Sequence, residues 1–215
     1  MELITDLKIQ SKDKNRVNLY LNNKFFCGLD IETVVKNQLK VGTYIDQQKI
    51  VAMQTESEKH TAFSKALKLI STRYKTQKEI ENYLYEKGYV SSVVYYVIQK
   101  LLEYGYIDDE KYVDSFVATH KNSFGKLKMK QLLLQKGVNS SLIEKKFTDE
   151  DFEQSDEIVR IAQKYMKSKE DTRENNIKLF KYLIGKGFSY DEIKKALKKE
   201  VEWWKTAWTL LTSAD

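Results

Sequence analysis

No proline occurs anywhere in the 215 residues. Helix interiors are therefore free of the missing amide and ring clash that would break them, which suits a chain of uninterrupted helices with capped ends. Glycine numbers only 8 and has to supply the punctuation. The single cysteine, Cys27, excludes an internal disulfide and any multi-thiol metal site, and its setting in KFFCGL reads as a strand position. His60 and His120 are the only histidines, and neither stands beside a second ligand at metal-binding spacing. There is no GxxxxGK[ST] phosphate loop and no GxGxxG, and Gly185-Lys186-Gly187 falls where a helix C-cap is expected. The N-terminus lacks the apolar core of a leader, and no run of about 18 apolar residues exists to span a bilayer. These absences predict a cytoplasmic protein that is not an enzyme, with no catalytic residue, no cofactor and no metal.

What is present is helical periodicity, clearest from Lys75 to Asp109. Thr76 and Glu79 make a capping box, and Ile80, Tyr83, Leu84 and Lys87 follow at helical spacing until Gly88 stops the helix. Ser91 restarts one that carries Val94, Val97, Ile98, Leu101 and Leu102 inward. Gly105 ends it, and Asp108 or Asp109 caps the next. The Lys-Gly step returns at Lys136-Gly137 and Lys186-Gly187, a period in the range of repeat arrays. Aligned on Gly88, Gly137 and Gly187, the columns read Ile80, Met129, Leu179; Leu84, Leu133, Leu183; Tyr89, Val138, Phe188; Val94, Ile143, Ile193; and Ile98, Phe147, Leu197. Five apolar columns in three copies predict a mainly α protein of tandem three-helix repeats, helix-turn-helix-like, stacked into an elongated curved rod.

Upstream, Ile4, Leu7 and Ile9 and then Val17, Leu19 and Leu21 alternate as strands do, with Asn22-Asn23 as a hairpin turn. The reading is a small N-terminal β-containing element over 1–56, with Asp30 capping a short helix and Asp46 another segment. Repeats follow over 57–106, 107–148 and 149–202, the first opening with a helix from about Glu58 to Ile70. Residues 203–215 form a tail holding all three tryptophans. It reads as a capping helix, a partner-binding helix or a frameshift product.

The net charge of +6 resides in residues 61–148, which alone sum to that value. No acidic residue lies between Asp114 and Glu144, an interval holding Lys121, Lys126, Lys128, Lys130 and Lys136. With Arg73, Lys75 and Lys78 these are the candidates for contact with phosphates or an acidic protein surface. A helix-turn-helix reading would send the third helix into a DNA groove, yet Ser91 to Tyr104 offers only Lys100 as a cation. Tyr83, Tyr85, Tyr95 and Tyr96 could stack on bases, although packing between repeats is the simpler use for most of the fourteen tyrosines.

The segments TRYKTQKEIENYLYEKGY (72–89), VIQKLLEYGYIDDEKYVDSFV (97–117) and GKLKMKQLLLQKGV (125–138) resemble the RecX family of bacterial recombination regulators. The likeness covers roughly 62–147, and RVNLYLNNKFFCGL with the third repeat fits its longer members. Matched positions such as Gly88, Gly105, Asp108, Asp109, Gly125 and Gly137 are architectural, and Gly187 repeats the pattern. Thr76 stands where the family motif has serine, and WWKTAWTLLTSAD has no counterpart in it. The resemblance implies a protein that binds the RecA recombinase filament on single-stranded DNA and mostly inhibits it, in recombination, DNA repair and the SOS response; a monomer is expected. Two other readings stay open: a stand-alone tandem helix-turn-helix DNA-binding protein, and a structural repeat adaptor.

Overall fold

A computed structural model describes residues 1–148 and 153–197. The expected tryptophan tail lies outside them. The chain divides into two compact units, Met1–Asp108 and Asp109–Asp215.

The first unit opens with strands β1 (Glu2–Ile9), β2 (Arg16–Leu21) and β3 (Lys24–Asp30), then helix α1 (Ile31–Lys36) and a short β4 (Tyr44–Ile45). They form one antiparallel sheet in the order β3-β2-β1-β4. Asn22 and Asn23 both take positive φ, 47° and 63°, the geometry of a two-residue type I′ turn whose twist matches the strands it joins. A bulge between Ile4 and Asp6 shifts the pairing of β1 by one residue. It explains the uneven spacing of the first apolar run, because the extra residue returns Leu7 to the face of Ile4. Ile9 is left 58% exposed, against the expected alternation.

Helix α2 runs from Gln47 to Ile70, 24 residues, and not from Glu58. Asp46 caps it by accepting from the Gln48 amide at 2.7 Å, and no glycine or proline interrupts its length. Its first half is weakly apolar, which hid it from periodicity. One residue there does most of the burying: Ile50 joins Ile4, Leu19, Leu21, Cys27 and Leu29 in the sheet's core. Buried Ser57 accepts the Asp30 amide at 2.6 Å and ties helix to sheet. The second half contributes Ala62 and Ala66 to another core, shared with α3 (Gln77–Glu86) and α4 (Ser91–Glu103). The residue 56/57 step thus falls inside one continuous helix.

Cys27 sits in the first core, and burial pushes its thiol up to about 11, with a smaller push from Glu58 and a counter-pull from Arg16. The folded value exceeds the ordinary 9.0, so this contribution to stability is whole below about pH 9 and is lost as pH rises toward 11. A thiol reagent at neutral pH should label native protein only as fast as it unfolds, while denatured protein reacts at once. Fast labelling of the native protein would contradict this burial.

In the second unit, α5 (Asp109–His120), α6 (Lys126–Gln135) and α7 (Ser140–Thr148) enclose Val113, Val117, Met129, Leu133, Val138, Ile143 and Phe147. Helices α8 (Ser155–Met166), α9 (Arg173–Gly185) and α10 (Tyr190–Leu197) enclose Ile158, Ala162, Leu179, Phe180, Leu183, Phe188 and Ile193. Leu84, Leu133 and Leu183, one aligned column, are all fully buried. Gly88, Gly137 and Gly187 take φ of 84°, 76° and 90°, the left-handed C-cap conformation their position required.

The two helix triads of this unit meet backbone to backbone. Gly125, the N-cap of α6, has no side chain to cap with. Its amide donates to the Lys186 carbonyl at 2.8 Å, and the Leu127 amide donates to that of Gly187 at 3.1 Å. The amide-rich start of α6 is thereby satisfied by the carbonyl-rich end of α9, a head-to-tail meeting of helix dipoles. Buried Gln154 completes the joint, donating from Nε2 to the carbonyls of Lys121 (2.7 Å) and Phe124 (3.0 Å) at the end of α5.

Candidate partner-binding surface

The lysines singled out by charge fall into two groups once folded. Lys75 is only 10% exposed and pairs with Glu79 at 3.3 Å beside the Thr76 capping box, so it belongs to the fold. Lys78 pairs with Glu81 at 3.2 Å. Lys130 meets Glu144 at 2.5 Å across α6 and α7, so the acid-free interval of the sequence is not acid-free in space. Lys128 donates to Gln131 at 3.2 Å, and its Cβ lies against Gly187. Lys136 is the exposed C-cap of α6. Arg73, Lys121 and Lys126 make no ion pair among the described residues, and Arg73 and Lys121 are exposed.

Helix α6 is charged against its own dipole. Its first turn holds no acid, its last turn no base, and Lys126, Lys128 and Lys130 crowd the end that favours anions. The carbonyl end of α9 and the Lys130–Glu144 pair offset part of this, which leaves Lys126 as the lysine of the run with neither an ion pair nor a side-chain hydrogen bond among the described residues. The third helix of the first triad presents a different face: Ser91, Ser92, Tyr95, Gln99 and Leu102 are exposed, and Lys100 is paired with Glu103 at 2.7 Å. That face lacks the free cations that groove reading requires.

The tyrosines depart from expectation. Tyr83 and Tyr96 are half-buried, but Tyr74, Tyr85, Tyr95, Tyr104 and Tyr106 are exposed, Tyr74 at 76%. Charge counting also passed over Arg160, Lys164 and Lys186, which with Tyr165 and Tyr182 line a cavity of about 360 Å³ in the second unit. Arg160, Lys164 and Tyr165 share helix α8, and the i, i+4 spacing of the two cations is a local signal, but Tyr182 and Lys186 come from α9 and its cap, and all sit in the near-neutral end of the chain.

The fold also gathers Asp30, Glu32 and His60, whose ligand atoms lie within 4.8 Å of one another. Asp30 already accepts from the Thr33 amide (2.7 Å) and hydroxyl (2.8 Å) as the cap of α1. Burial raises its carboxyl, but hydrogen bonds from the Thr33 amide and the Ser57 and Thr33 hydroxyls, with the nearby His60, outweigh that and hold it below the usual value. Arg16, Lys65 and Lys68 line the same 510 Å³ cavity and oppose a second cation. The arrangement is a helix cap with an adjacent histidine, His60 being 3.4 Å from Glu56.

Four family models match in chain order: the regulatory protein RecX N-terminal domain at 2–46, and the RecX first, second and third three-helix domains at 62–101, 108–146 and 153–197. The chain belongs to the RecX family. Regulatory protein RecX of Clostridium tetani is 32% identical over 202 residues, covering 91% of this chain and 93% of its own. The RecX of Bacillus licheniformis is 30% identical over 93% of this chain and 78% of its own. A crystal structure of regulatory protein RecX matches with TM-score 0.65 and 27% identity, covering 93% of this chain and all of the other. RecX from Lactobacillus salivarius matches with TM-score 0.59 and 28% identity over 66% of this chain and 95% of its own. This RecX-family chain thus carries three tandem three-helix domains behind a small strand element, and its relatives are named as regulators. No helix among the described residues is long and apolar enough to cross a membrane.

Proposed function

We propose that this chain is a non-enzymatic, monomeric, cytoplasmic regulator that binds the RecA recombinase filament on single-stranded DNA and inhibits its strand exchange and ATP hydrolysis. Family membership through all four domains carries the reading. Lys126 at the start of α6 and Lys121 just before it support it, because cations with no ion pair among the described residues are available to acidic protein or phosphate. Tandem domains add multivalency: modules that touch successive protomers bind a filament more tightly than a free protomer. Bridged protomers are then held in one conformation, which opposes the movements of the hydrolysis cycle.

Within this reading Arg73, Lys121 and Lys126 are the contact residues, with Lys128 and Lys136 beside them. Lys75, Lys78 and Lys130 are held in internal pairs. The double variant Lys121→Glu/Lys126→Glu should co-sediment with RecA filaments at least about tenfold more weakly at low salt while keeping its melting temperature, since neither side chain makes an ion pair among the described residues and an acid in the first turn of α6 suits its dipole. Equal retention of the wild-type protein on filaments and on bare single-stranded DNA would overturn the reading in favour of a stand-alone DNA-binding protein.

A further inference from the structure

The 360 Å³ cavity is lined by Asn122 and Ser123 from the turn after α5, by Arg160, Ile161, Lys164 and Tyr165 of α8, and by Tyr182 and Lys186 from α9 and its cap. Three of these are cations, and no carboxylate stands among the described residues that line it to neutralise them. Arg160 and Lys164 are one turn apart on α8 and so share a face. The Arg160 guanidinium is fixed by donating from Nη2 to the Asn122 carbonyl at 2.5 Å, which leaves other N–H groups of its planar fork for an anion.

The aromatic wall is as specific as the charge. Tyr165 and Tyr182 stack with ring centroids 4.7 Å apart and planes 27° apart. Lys169 lies 3.1 Å from the Tyr165 centroid. Lys186 lies 5.4 Å from that of Tyr182 and 5.2 Å from that of Phe124, bridging the two rings. Phe124 ends a ladder in which Tyr112, Phe116, His120 and Phe124 stack in sequence, at 6.3, 4.1 and 5.8 Å. Most members are half-buried, but Tyr182 is 38% exposed at the cavity. Cations for a phosphate, beside an exposed ring already held flat by its neighbour, are the two parts of nucleotide recognition.

We propose that this cavity is a nucleotide-sized site for single-stranded nucleic acid, in which Arg160, Lys164 and Lys186 hold a backbone phosphate and Tyr182 carries a base. Duplex is excluded as the ligand because a paired base cannot leave its stack to lie on a tyrosine without the cost of unpairing. The volume, near the lower limit of small-ligand pockets, suits one nucleotide at a time. The proposal deepens the reading above by assigning the contact with the strand, but its test needs no recombinase, so either can fail alone.

The test is fluorescence anisotropy of a labelled oligothymidylate with the full chain across a salt series. Arg160→Gln/Lys164→Gln should weaken binding about tenfold at low salt and lower the slope of log K against log salt by roughly 0.7, one phosphate contact's worth. Tyr182→Leu should weaken binding about tenfold with the slope unchanged, and Tyr182→Phe should restore it, because the ring and not the hydroxyl does the stacking. Melting curves identify any variant that fails to fold, and the Tyr182→Phe comparison stands without the others. Variants that bind as wild type does, or equal affinity for labelled duplex, would overturn the site. Displacement by thymidine monophosphate as readily as by the oligomer would overturn the strand as its ligand and point to a free nucleotide.

Discussion

Replacing Gly125 by alanine lowers the melting temperature of the C-terminal unit by about 10 °C, corresponding to about 3 kcal/mol of overpacking. The reason is not conformational, since Gly125 has an ordinary extended backbone, φ −76° and ψ 165°. An added Cβ would lie inside the carbonyl of Gly187 and against the Phe188 amide, both backbone, so no side chain can swing away. Gly187→Ala should cost at least as much, because its Cβ would overlap the backbone of Lys128 and its φ of 90° strains any L residue. Gly88→Ala is the control. It shares the Lys-Gly motif and a φ of 84°, but open space surrounds it, so only the backbone strain of about 1–2 kcal/mol applies. Thermal melts of the three variants test this directly: equal losses at all three glycines would refute the close approach of α6 and α9.

Ile50→Ala costs about 3 kcal/mol and loosens the sheet and the first helical triad together. Ile50 is fully buried, and it is the helical member of the sheet's core, so the cavity it leaves is roofed by α2. Because the same helix carries Ala62 and Ala66 into the other core, an opening that starts at the sheet propagates along a continuous backbone. Hydrogen exchange should show the amides of β2, β3, α3 and α4 losing protection in parallel. A variant in which the strands exchange fast while α3 and α4 stay fully protected would show that α2 does not couple the two.

Local chemistry made much of this fold legible. The Thr76 capping box forms as its spacing implied, with the Thr76 hydroxyl accepting the Glu79 amide at 3.1 Å and the Glu79 carboxylate accepting the Thr76 amide at 3.3 Å. The aligned apolar columns are core positions, from Ile80 and Met129 to Ile143 and Ile193. These features depend on residues within a turn or two of one another. What escaped depends on contacts between elements. Glu144 is 14 residues from Lys130, and no count along the chain pairs them. Gly125 stands among the architectural positions of the sequence, while its necessity comes from Gly187, just past the end of α9. Arg160 and Lys186 become neighbours through the packing of α8 on α9, and Asn122 and Ser123 join them because Gln154 and two glycines seat one helix triad on the next. The first half of α2 escaped for the opposite reason: one isoleucine suffices to dock it, so no stripe was there to see.

The central proposal is that this chain acts on a recombinase filament through cations that make no ion pair among the described residues. The most direct measurement is the rate of ATP hydrolysis by RecA on single-stranded DNA as the protein is titrated in, wild type against Lys121→Glu/Lys126→Glu. The account predicts inhibition by wild type at less than one chain per recombinase protomer, with at least about tenfold more of the folded variant needed for the same effect. An unchanged hydrolysis rate at stoichiometric excess of the wild-type protein would contradict it.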